Sequence, residues 1–233
     1  MKKKIVAFFF IGDSTDIPSL LVKSFNKIND KNSSIIQLSD YQTPKIEGVT
    51  DVKRFNLSKD IMIARLQAYH MYEPQAEETF FCDADGLFVN PISLPIKGTL
   101  FLTKRNYDPF VNFNYPEFYP EFIEKTFTQV MPFLFGAIGV RGDQSQIFKI
   151  LLDICNKLPD RFHRWYGDQY SLHIATLKKK FDYGLLDQEK FLNILESPQS
   201  VLEIQNLRNK GVQFITYKGP KSKIFLFETY KNL

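Results

Sequence analysis

Two aspartates one residue apart, Asp83 and Asp85, follow an apolar run in the segment FFCDADGLFVN. Carboxylate oxygens are the ligands that Mg²⁺ and Mn²⁺ prefer, and proteins usually bind these ions through one or two carboxylates together with substrate phosphates. An isolated Asp-x-Asp pair is a weak motif, because solvated carboxylates at a strand end have the same pattern. The apolar residues before the pair and Gly86 after it favour a site. We therefore expect Mn²⁺ or Mg²⁺ and a phosphate compound to bind here.

Two other charged residues could contact the same ligand. Arg65 lies in a helical pattern upstream of the aspartates, and its donor fork suits a diphosphate. An arginine stem that lies along apolar surface with its head in water is an equally good interpretation. Asp168 stands at the start of a second helical pattern, in HRWYGDQYSLH. Its default role is the N-cap of that helix, but an aspartate at this place can also face a cleft.

A lysine-rich turn near the end of the chain is a further candidate. Lys218, Lys221 and Lys223 surround Gly219, whose missing side chain lets other groups approach the backbone closely. Three lysines in six residues usually form a solvated surface turn. If the turn lies over the aspartates, its lysines would neutralise a leaving diphosphate.

Hydrophobic patterns predict the elements that carry these residues. A buried strand is expected at residues 4–11, a helix at 17–28 and a short strand at 34–38, an order typical of a parallel sheet covered by helices. A helix capped by Ser58 and reaching about Tyr72 leads into a strand at 79–82. Ligands of open α/β sheets bind outside the carboxyl ends of strands, which is where the two aspartates are predicted to lie.

The second half of the chain continues the α/β pattern. Three more strands are predicted at 99–103, 134–140 and 212–217, with helices at 144–157 and from about Asp168. The aromatic and proline-rich segment 107–122 is interpreted as a loop or lid that either contacts a ligand or covers an exposed sheet edge or core. Without repeats or linkers, residues 1–233 are predicted to form one α/β domain with a mostly parallel central sheet flanked by helices.

Composition excludes several classes of protein. The chain has 233 residues, 44% of them hydrophobic, and its 30 basic and 26 acidic residues are scattered, which disfavours nucleic acid as a partner. The apolar start is interrupted at Gly12 and Asp13, unlike a signal peptide, and no run reaches the roughly 20 residues of a membrane helix. Two cysteines, Cys82 and Cys155, predict neither a disulfide framework nor a zinc cluster. We expect a cytoplasmic protein, free or peripheral to a membrane.

The order of these motifs, from about Lys4 to Lys223, resembles the GT-A glycosyltransferases. It comprises an apolar first strand, an Ala-Arg-Leu helix, the Asp-Ala-Asp strand end, a glycine-bearing strand, a Gly-Asp-Gln helix start and a late Lys-Gly turn. Within that fold it is most similar to the nucleotide-diphospho-sugar transferases of the family 8 type, which include glycogenin and bacterial lipopolysaccharide galactosyltransferases. The resemblance implies a Rossmann-like domain that moves a sugar from a nucleotide-diphosphate donor, a UDP-sugar above all, to a glycan, lipid-linked or other hydroxyl acceptor.

The resemblance also implies roles for individual residues. Asp83 would contact the ribose or the metal, and Asp85 would bind the Mn²⁺ or Mg²⁺ that bridges the donor diphosphate. Asp168 with Gln169 would form the catalytic pair beside the reacting sugar. The implied donor-binding residues are Ile11, Gly12, Asp13, Arg65, Asp83, Ala84, Asp85, Gly136, Lys218 and Gly219. Likeness to the family also favours retention of the anomeric configuration.

One part of the family pattern is missing. The family ends in His-x-x-Gly-x-x-Lys, whose histidine completes the metal site, whereas this chain has Thr216 at the histidine position and Ser222 at the lysine position. The two aspartates are therefore left to hold a metal with fewer partners.

Two alternative functions remain open. The same apolar Asp-x-Asp-Gly pattern begins the phosphohydrolases of the haloacid dehalogenase kind, in which the first aspartate is a nucleophile. There it normally lies in the first strand and continues with threonine, whereas Leu87 follows here. The other alternative is a nucleotide-sugar or glycan-binding domain without turnover, which the missing histidine supports.

Overall fold

The computed structural model describes residues 4–29, 32–74, 76–106, 119–217 and 219–233. Ten strands lie within these residues. In chain order they are β1 (Lys4–Phe9), β2 (Ser33–Ser39), β3 (Asp51–Arg54), β4 (Glu78–Cys82), β5 (Gly86–Phe88), β6 (Leu100–Lys104), β7 (Phe133–Arg141), β8 (Gly184–Asp187), β9 (Asn193–Leu195) and β10 (Phe214–Tyr217).

Seven of these strands form the main sheet, in the spatial order β3-β2-β1-β4-β7-β6-β8. Strand β7 is antiparallel to both of its neighbours, and the other six strands run in one direction. The predicted α/β class with a mostly parallel sheet is confirmed. Because β7 is reversed, its first half lies beside the carboxyl end of β4.

Three short strands form a second sheet in the order β5-β10-β9. Only three residues separate the end of β4 from the start of β5, so the chain leaves the main sheet at the Asp-x-Asp motif and enters the second one. Gly86 of β5 pairs with Thr216 of β10. This pairing brings the C-terminal part of the chain to the aspartates.

Nine α-helices lie in the described part of the chain. They are α1 (Asp16–Ile28), α2 (Ile61–Met71), α3 (Phe127–Val130), α4 (Ser145–Cys155), α5 (Asp160–Arg164), α6 (Gly167–Leu177), α7 (Gln188–Phe191), α8 (Val201–Asn209) and α9 (Phe225–Asn232), with 3-10 helices at Pro120–Phe122 and Pro220–Ile224. Helices α2, α4 and α6 contribute to the apolar cluster on one face of the main sheet, and α1 to that on the other. No described helix combines the length and the apolar character that a membrane crossing needs.

The strand that carries the aspartates is buried on both faces, which explains its unbroken apolar sequence. On one face Phe81 contacts Tyr69 and Phe148, with ring centroids 4.6 and 4.9 Å away. On the other face Phe80 contacts Phe214 of the second sheet at 6.3 Å. These aromatic contacts fix the end of β4 and therefore the position of the motif that follows it.

Several element boundaries differ from the prediction. Strand β1 ends at Phe9, two residues before the predicted end. Helix α2 begins at Ile61, because the Ser58 hydroxyl accepts a hydrogen bond from the amide of Asp60, and Asp60 takes the N-cap position. The turn at Ser58 thus precedes the helix, so the predicted N-cap was wrong.

Most of the predicted lid, residues 107–118, lies outside the described residues. Its described end is packed into the protein, since Tyr119 and Phe122 are buried against Phe162. For residues 119–122 the structure therefore supports the covering role over that of a lid.

Gly86 is required for the close packing of the second sheet. A Cβ at this position would lie 2.1 Å from Cζ of Phe214 and 2.7 Å from the carbonyl oxygen of Ile215. We expect Gly86→Ala to lower the free energy of unfolding by about 2–3 kcal/mol, as overpacked cores do. Denaturant titration measures the change, and Gly86→Val should cost more. Equal stability of the alanine variant and the wild type would contradict this packing argument.

Candidate active site

The Asp-x-Asp motif lies at the carboxyl end of β4. The strand ends at Cys82, and the amide of Asp83 donates a hydrogen bond of 3.1 Å to the carbonyl of Gly136 on β7. A Cβ on Gly136 would lie only 2.2 Å from Oδ2 of Asp83. Gly136 therefore provides the space that the Asp83 carboxylate occupies, whereas the side chain of Ala84 packs against the apolar cluster that includes α1.

The segment after β1 lies at the same end of the sheet. Strand β1 pairs in parallel with β4, so Ile11, Gly12 and Asp13 emerge beside the motif. The amide of Gly12 donates to Oγ1 of Thr43, and Asp13 is exposed. These three residues line the edge at which their donor-binding role was predicted, although no hydrogen bond or ion pair joins them to the aspartates in the described structure.

Arg65 joins two of the predicted site residues. From α2, its Nη1 donates to Oδ1 of Asp83 at 2.8 Å, and its Nη2 pairs with Oδ2 of Asp168. The guanidinium lies 5.0 Å from the ring centroid of Phe135. The Arg65 side chain is 15% exposed and the Asp168 side chain has no exposed surface, whereas the Asp83 side chain is 36% exposed, so this bridge between the end of β4 and α6 is buried at Asp168 and reaches the surface at Asp83. The alternative of a guanidinium in water is therefore excluded.

A strained turn at the start of α6 positions Asp168. Tyr166 has φ 67°, in the left-handed region that non-glycine residues rarely adopt. A Cβ on Gly167 would lie 2.2 Å from the carbonyl oxygen of Phe162, so only glycine allows α6 to begin so close to α5. The N-cap position belongs to Tyr166, and Asp168 lies inside the first turn. Its default role as N-cap was wrong, and its carboxylate faces Arg65 instead.

Arg105 also lies in the candidate site, although it was not predicted from the sequence. Its Nη2 donates to Oε1 of Gln169 at 2.7 Å and its Nε to the carbonyl of Met131 at 2.9 Å. Burial lowers the pKa of Arg105 to about 10, which leaves it charged at neutral pH. Arg105 comes directly after β6, a strand parallel to β4. Its place after a predicted strand was the feature of the sequence that could have identified it. It holds the amide of Gln169 in a fixed orientation.

Lys223 contacts the second aspartate of the motif. From the 3-10 helix Pro220–Ile224, its Nζ lies 2.8 Å from Oδ2 of Asp85, 3.0 Å from Oγ1 of Thr216 and 2.9 Å from the carbonyl oxygen of Tyr217. The Thr216 hydroxyl also donates to the carbonyl of Asp85 at 2.8 Å. The lysine-rich turn therefore does reach the aspartates.

Only one lysine of that turn is seen to do so. Lys221 is exposed, and Gly219 adopts φ 71° just before the 3-10 helix. Lys218, the lysine predicted to bind the donor, lies outside the described residues. Lys223 is thus the described cation that takes the role expected of the turn.

Opposing charges surround Asp83. Removal from water is the largest effect and raises the pKa of the Asp83 carboxyl, and the nearby Asp85 adds to the rise. Arg65 and Lys223 act in the opposite direction without cancelling it. Two side-chain cations, Arg65 and Lys223, are thus paired with the three carboxylates of Asp83, Asp85 and Asp168, so they balance two of the three negative charges.

The residues present fit a divalent cation poorly. Each aspartate of the motif already has one oxygen bound to a basic side chain, and Thr216 stands where the family has a histidine. Within the described ranges no group of three or more His, Cys, Asp or Glu side chains could hold a metal. Mg²⁺ takes near-octahedral coordination, so water or substrate would have to supply most ligands. The Mn²⁺ or Mg²⁺ site remains a prediction.

Comparison with known proteins identifies the fold. No family model matches this chain, and no curated protein matches it in sequence. A solved structure described as a glycosyltransferase involved in the glycosylation of the major capsid of PBCV-1 superposes with a TM-score of 0.60, over 99% of this chain and 100% of that one, at 14% identity. The chain has a glycosyltransferase fold. At this identity the likeness concerns the fold alone.

Within the glycosyltransferase fold, five of the predicted residues form one site. Arg65, Asp83, Asp85, Gly136 and Asp168 come together at the carboxyl end of β4. Two basic residues lie beside them: Arg105, which was not predicted and contacts Gln169, and Lys223 of the predicted lysine-rich turn, which pairs with Asp85. The site thus combines a buried carboxylate with cations at its surface, which is chemistry suited to an anionic ligand.

Proposed function

We propose that this protein is a glycosyltransferase that moves a sugar from a nucleotide-diphosphate sugar to a hydroxyl group of an acceptor. The observation that carries the proposal is the Arg65 bridge between Asp83 and Asp168 at the carboxyl end of β4. In open α/β sheets that is the place where ligands bind. The glycosyltransferase fold supports the same conclusion.

The charges that develop during sugar transfer define the role of each residue in this proposal. As the bond to the sugar breaks, the nucleoside diphosphate gains negative charge while the anomeric carbon gains positive charge. Arg65 and Lys223 stabilise the diphosphate, and the Asp83 and Asp85 carboxylates hold these two cations in place. No step depends on the predicted Mn²⁺ or Mg²⁺.

The sugar is assigned to the α6 side of the site. Asp168 presents a buried carboxylate close to the positive charge that develops on the sugar ring, and Arg105 orients Gln169 beside it. The segment Ile11 to Asp13 at the end of β1 is assigned to the nucleotide. We further propose a UDP-sugar as the donor, a glycan or lipid-linked hydroxyl as the acceptor, and retention of configuration.

The phosphohydrolase alternative has less support. Its nucleophilic aspartate belongs at the end of the first strand, whereas Asp83 follows the fourth strand of the chain. An Oδ1 that accepts a hydrogen bond from Arg65 is also less nucleophilic than a free carboxylate oxygen. A phosphoenzyme on Asp83 would favour this alternative over sugar transfer.

A donor screen tests the proposed function. UDP-, GDP- and other activated sugars are tested for an increase in melting temperature and for slow hydrolysis, with wild type and Asp85→Asn. We expect at least one nucleotide sugar to stabilise and to be hydrolysed by the wild type, and Asp85→Asn to bind it about 10-fold more weakly, because a charged partner of Lys223 is lost.

The matched control is Asp182→Asn. Asp182 is exposed and precedes β8, which runs parallel to β4, so it lies at the opposite end of the sheet. The Asp182→Asn variant should respond to nucleotide sugars like the wild type. Sugar transfer is ruled out if no nucleotide sugar shifts the melting temperature, and stabilisation without any hydrolysis would point to the binding domain without turnover.

A further inference from the structure

The ammonium of Lys223 is surrounded by oxygen atoms, as a bound metal cation would be. Three oxygens of different kinds lie 2.8–3.0 Å from its Nζ, namely the Asp85 carboxylate, the Thr216 hydroxyl and the Tyr217 carbonyl. An ammonium group has three donors, so all of them are engaged. The charge of Lys223 is therefore fixed in place before any ligand arrives.

In this position the Lys223 ammonium would compete with a metal ion for the Asp85 carboxylate. Oδ2 of Asp85 is bound to Lys223, and Oδ1 of Asp83 is bound to Arg65. A divalent cation at the motif would have to displace Nζ or lie close to it, at a cost from like-charge repulsion. The side chain of Lys223 is still 19% exposed, and its flexible stem lets the ammonium exchange one neutral partner for a phosphate oxygen.

We propose that the Lys223 ammonium takes the place of a divalent cation at Asp83 and Asp85, so that the donor diphosphate binds without Mn²⁺ or Mg²⁺. This inference rests on the proposed function, because it concerns the diphosphate of the same donor. Lys223 supplies the charge that neutralises the diphosphate, and Asp85 keeps the lysine aimed at it.

The test measures the binding of nucleoside diphosphates by calorimetry. UDP, GDP, ADP, CDP and dTDP are titrated into wild type and Lys223→Met, once with EDTA and once with Mn²⁺. For the nucleotide that binds, we expect the wild type to have the same affinity in both buffers. Lys223→Met should bind about 10- to 100-fold more weakly in EDTA, the range for a lost hydrogen bond to a charged group. Mn²⁺ should restore part of that loss, because the variant frees Asp85.

Mn²⁺ alone gives a second readout. Its electron paramagnetic resonance signal falls when the ion binds to protein, so we expect little change with wild type and a clear decrease with Lys223→Met. The control is Lys231→Met, which removes the same charge from an exposed position on α9 and should behave like wild type in both assays. If Lys223→Met does not fold, Lys223→Gln removes the charge and keeps donors for Thr216 and Tyr217.

The outcomes separate this inference from the proposed function. Wild-type binding that needs Mn²⁺, or Lys223 variants that bind in EDTA as tightly as wild type, would overturn the lysine proposal and leave sugar transfer intact. Failure of every nucleoside diphosphate to bind in either buffer would overturn both.

Discussion

Arg65→Met is expected to lower the free energy of unfolding by about 3–5 kcal/mol and to abolish sugar transfer. The Asp168 side chain has no exposed surface, and Arg65 is the cation paired with it. Removal of one partner from a buried pair leaves an uncompensated charge, which is far more destabilising than loss of the pair as a whole. The same substitution removes the guanidinium that we assign to the diphosphate.

A second substitution distinguishes the two effects. The double variant Arg65→Met, Asp168→Asn no longer contains the buried unpaired charge of Asp168, although Asp83 still lacks its partner, so it should be more stable than the single variant and less stable than the wild type while it stays inactive. Denaturant titration and donor hydrolysis measure the two quantities. The control Arg164→Met alters an exposed arginine on α5 and should leave stability nearly unchanged. A single variant as stable as the wild type would refute the buried bridge.

Gly136→Ala is expected to lower donor turnover about 100-fold with only a small loss of stability. The new methyl group would lie 2.2 Å from Oδ2 of Asp83, so the carboxylate must move by roughly 1 Å and its contact with Arg65 is disturbed. The carbonyl of Gly136 accepts the hydrogen bond from the Asp83 amide, which holds this part of β7 against the end of β4, although the pairing of β7 with β6 shifts register here. Misplacement of a positioning group by such a distance can cost two orders of magnitude in rate.

Gly139→Ala on the same strand is the matched control. Its Cβ would lie 2.5 Å from Cδ2 of Leu94, so this substitution disturbs apolar packing and not the carboxylate. We expect it to reduce stability by about 1–3 kcal/mol and to leave turnover close to that of the wild type. If both alanine variants lost turnover to the same extent, the role given to Gly136 would be wrong.

The main sheet was largely predictable because its strands are buried on both faces. Strands β1, β4 and β7 are nearly continuous apolar runs, and such runs between helical patterns indicate an α/β sheet. Burial on both faces also concealed the direction of β7, since such a strand lacks the alternation of apolar and polar residues that is typical of antiparallel strands. The short strands β5 and β9, of three residues each, carry too few residues for any periodicity.

Spacing alone predicted a phosphate site at Asp83 and Asp85, because carboxylates after an apolar strand, followed by glycine, form a local pattern. The partners of these carboxylates are not local. Arg65 and Asp168 are 103 positions apart, and Thr216 and Asp85 are 131 apart. Only the packing of α2 against α6 and of β10 against β5 brings them together.

The sheet, the strand end and the acidic motif are predictable from the amino-acid sequence, since each depends on residues within about one element. The partners of the acidic motif depend on how distant segments pack in the fold. In the folded protein Asp168 is the buried partner of Arg65 and not an N-cap. Arg105 contacts Gln169, and the Lys223 ammonium contacts Asp85. The physical reason is that ion pairs form between side chains that are close in space. Tertiary packing, and not spacing along the chain, sets the distance between segments that are far apart in the sequence.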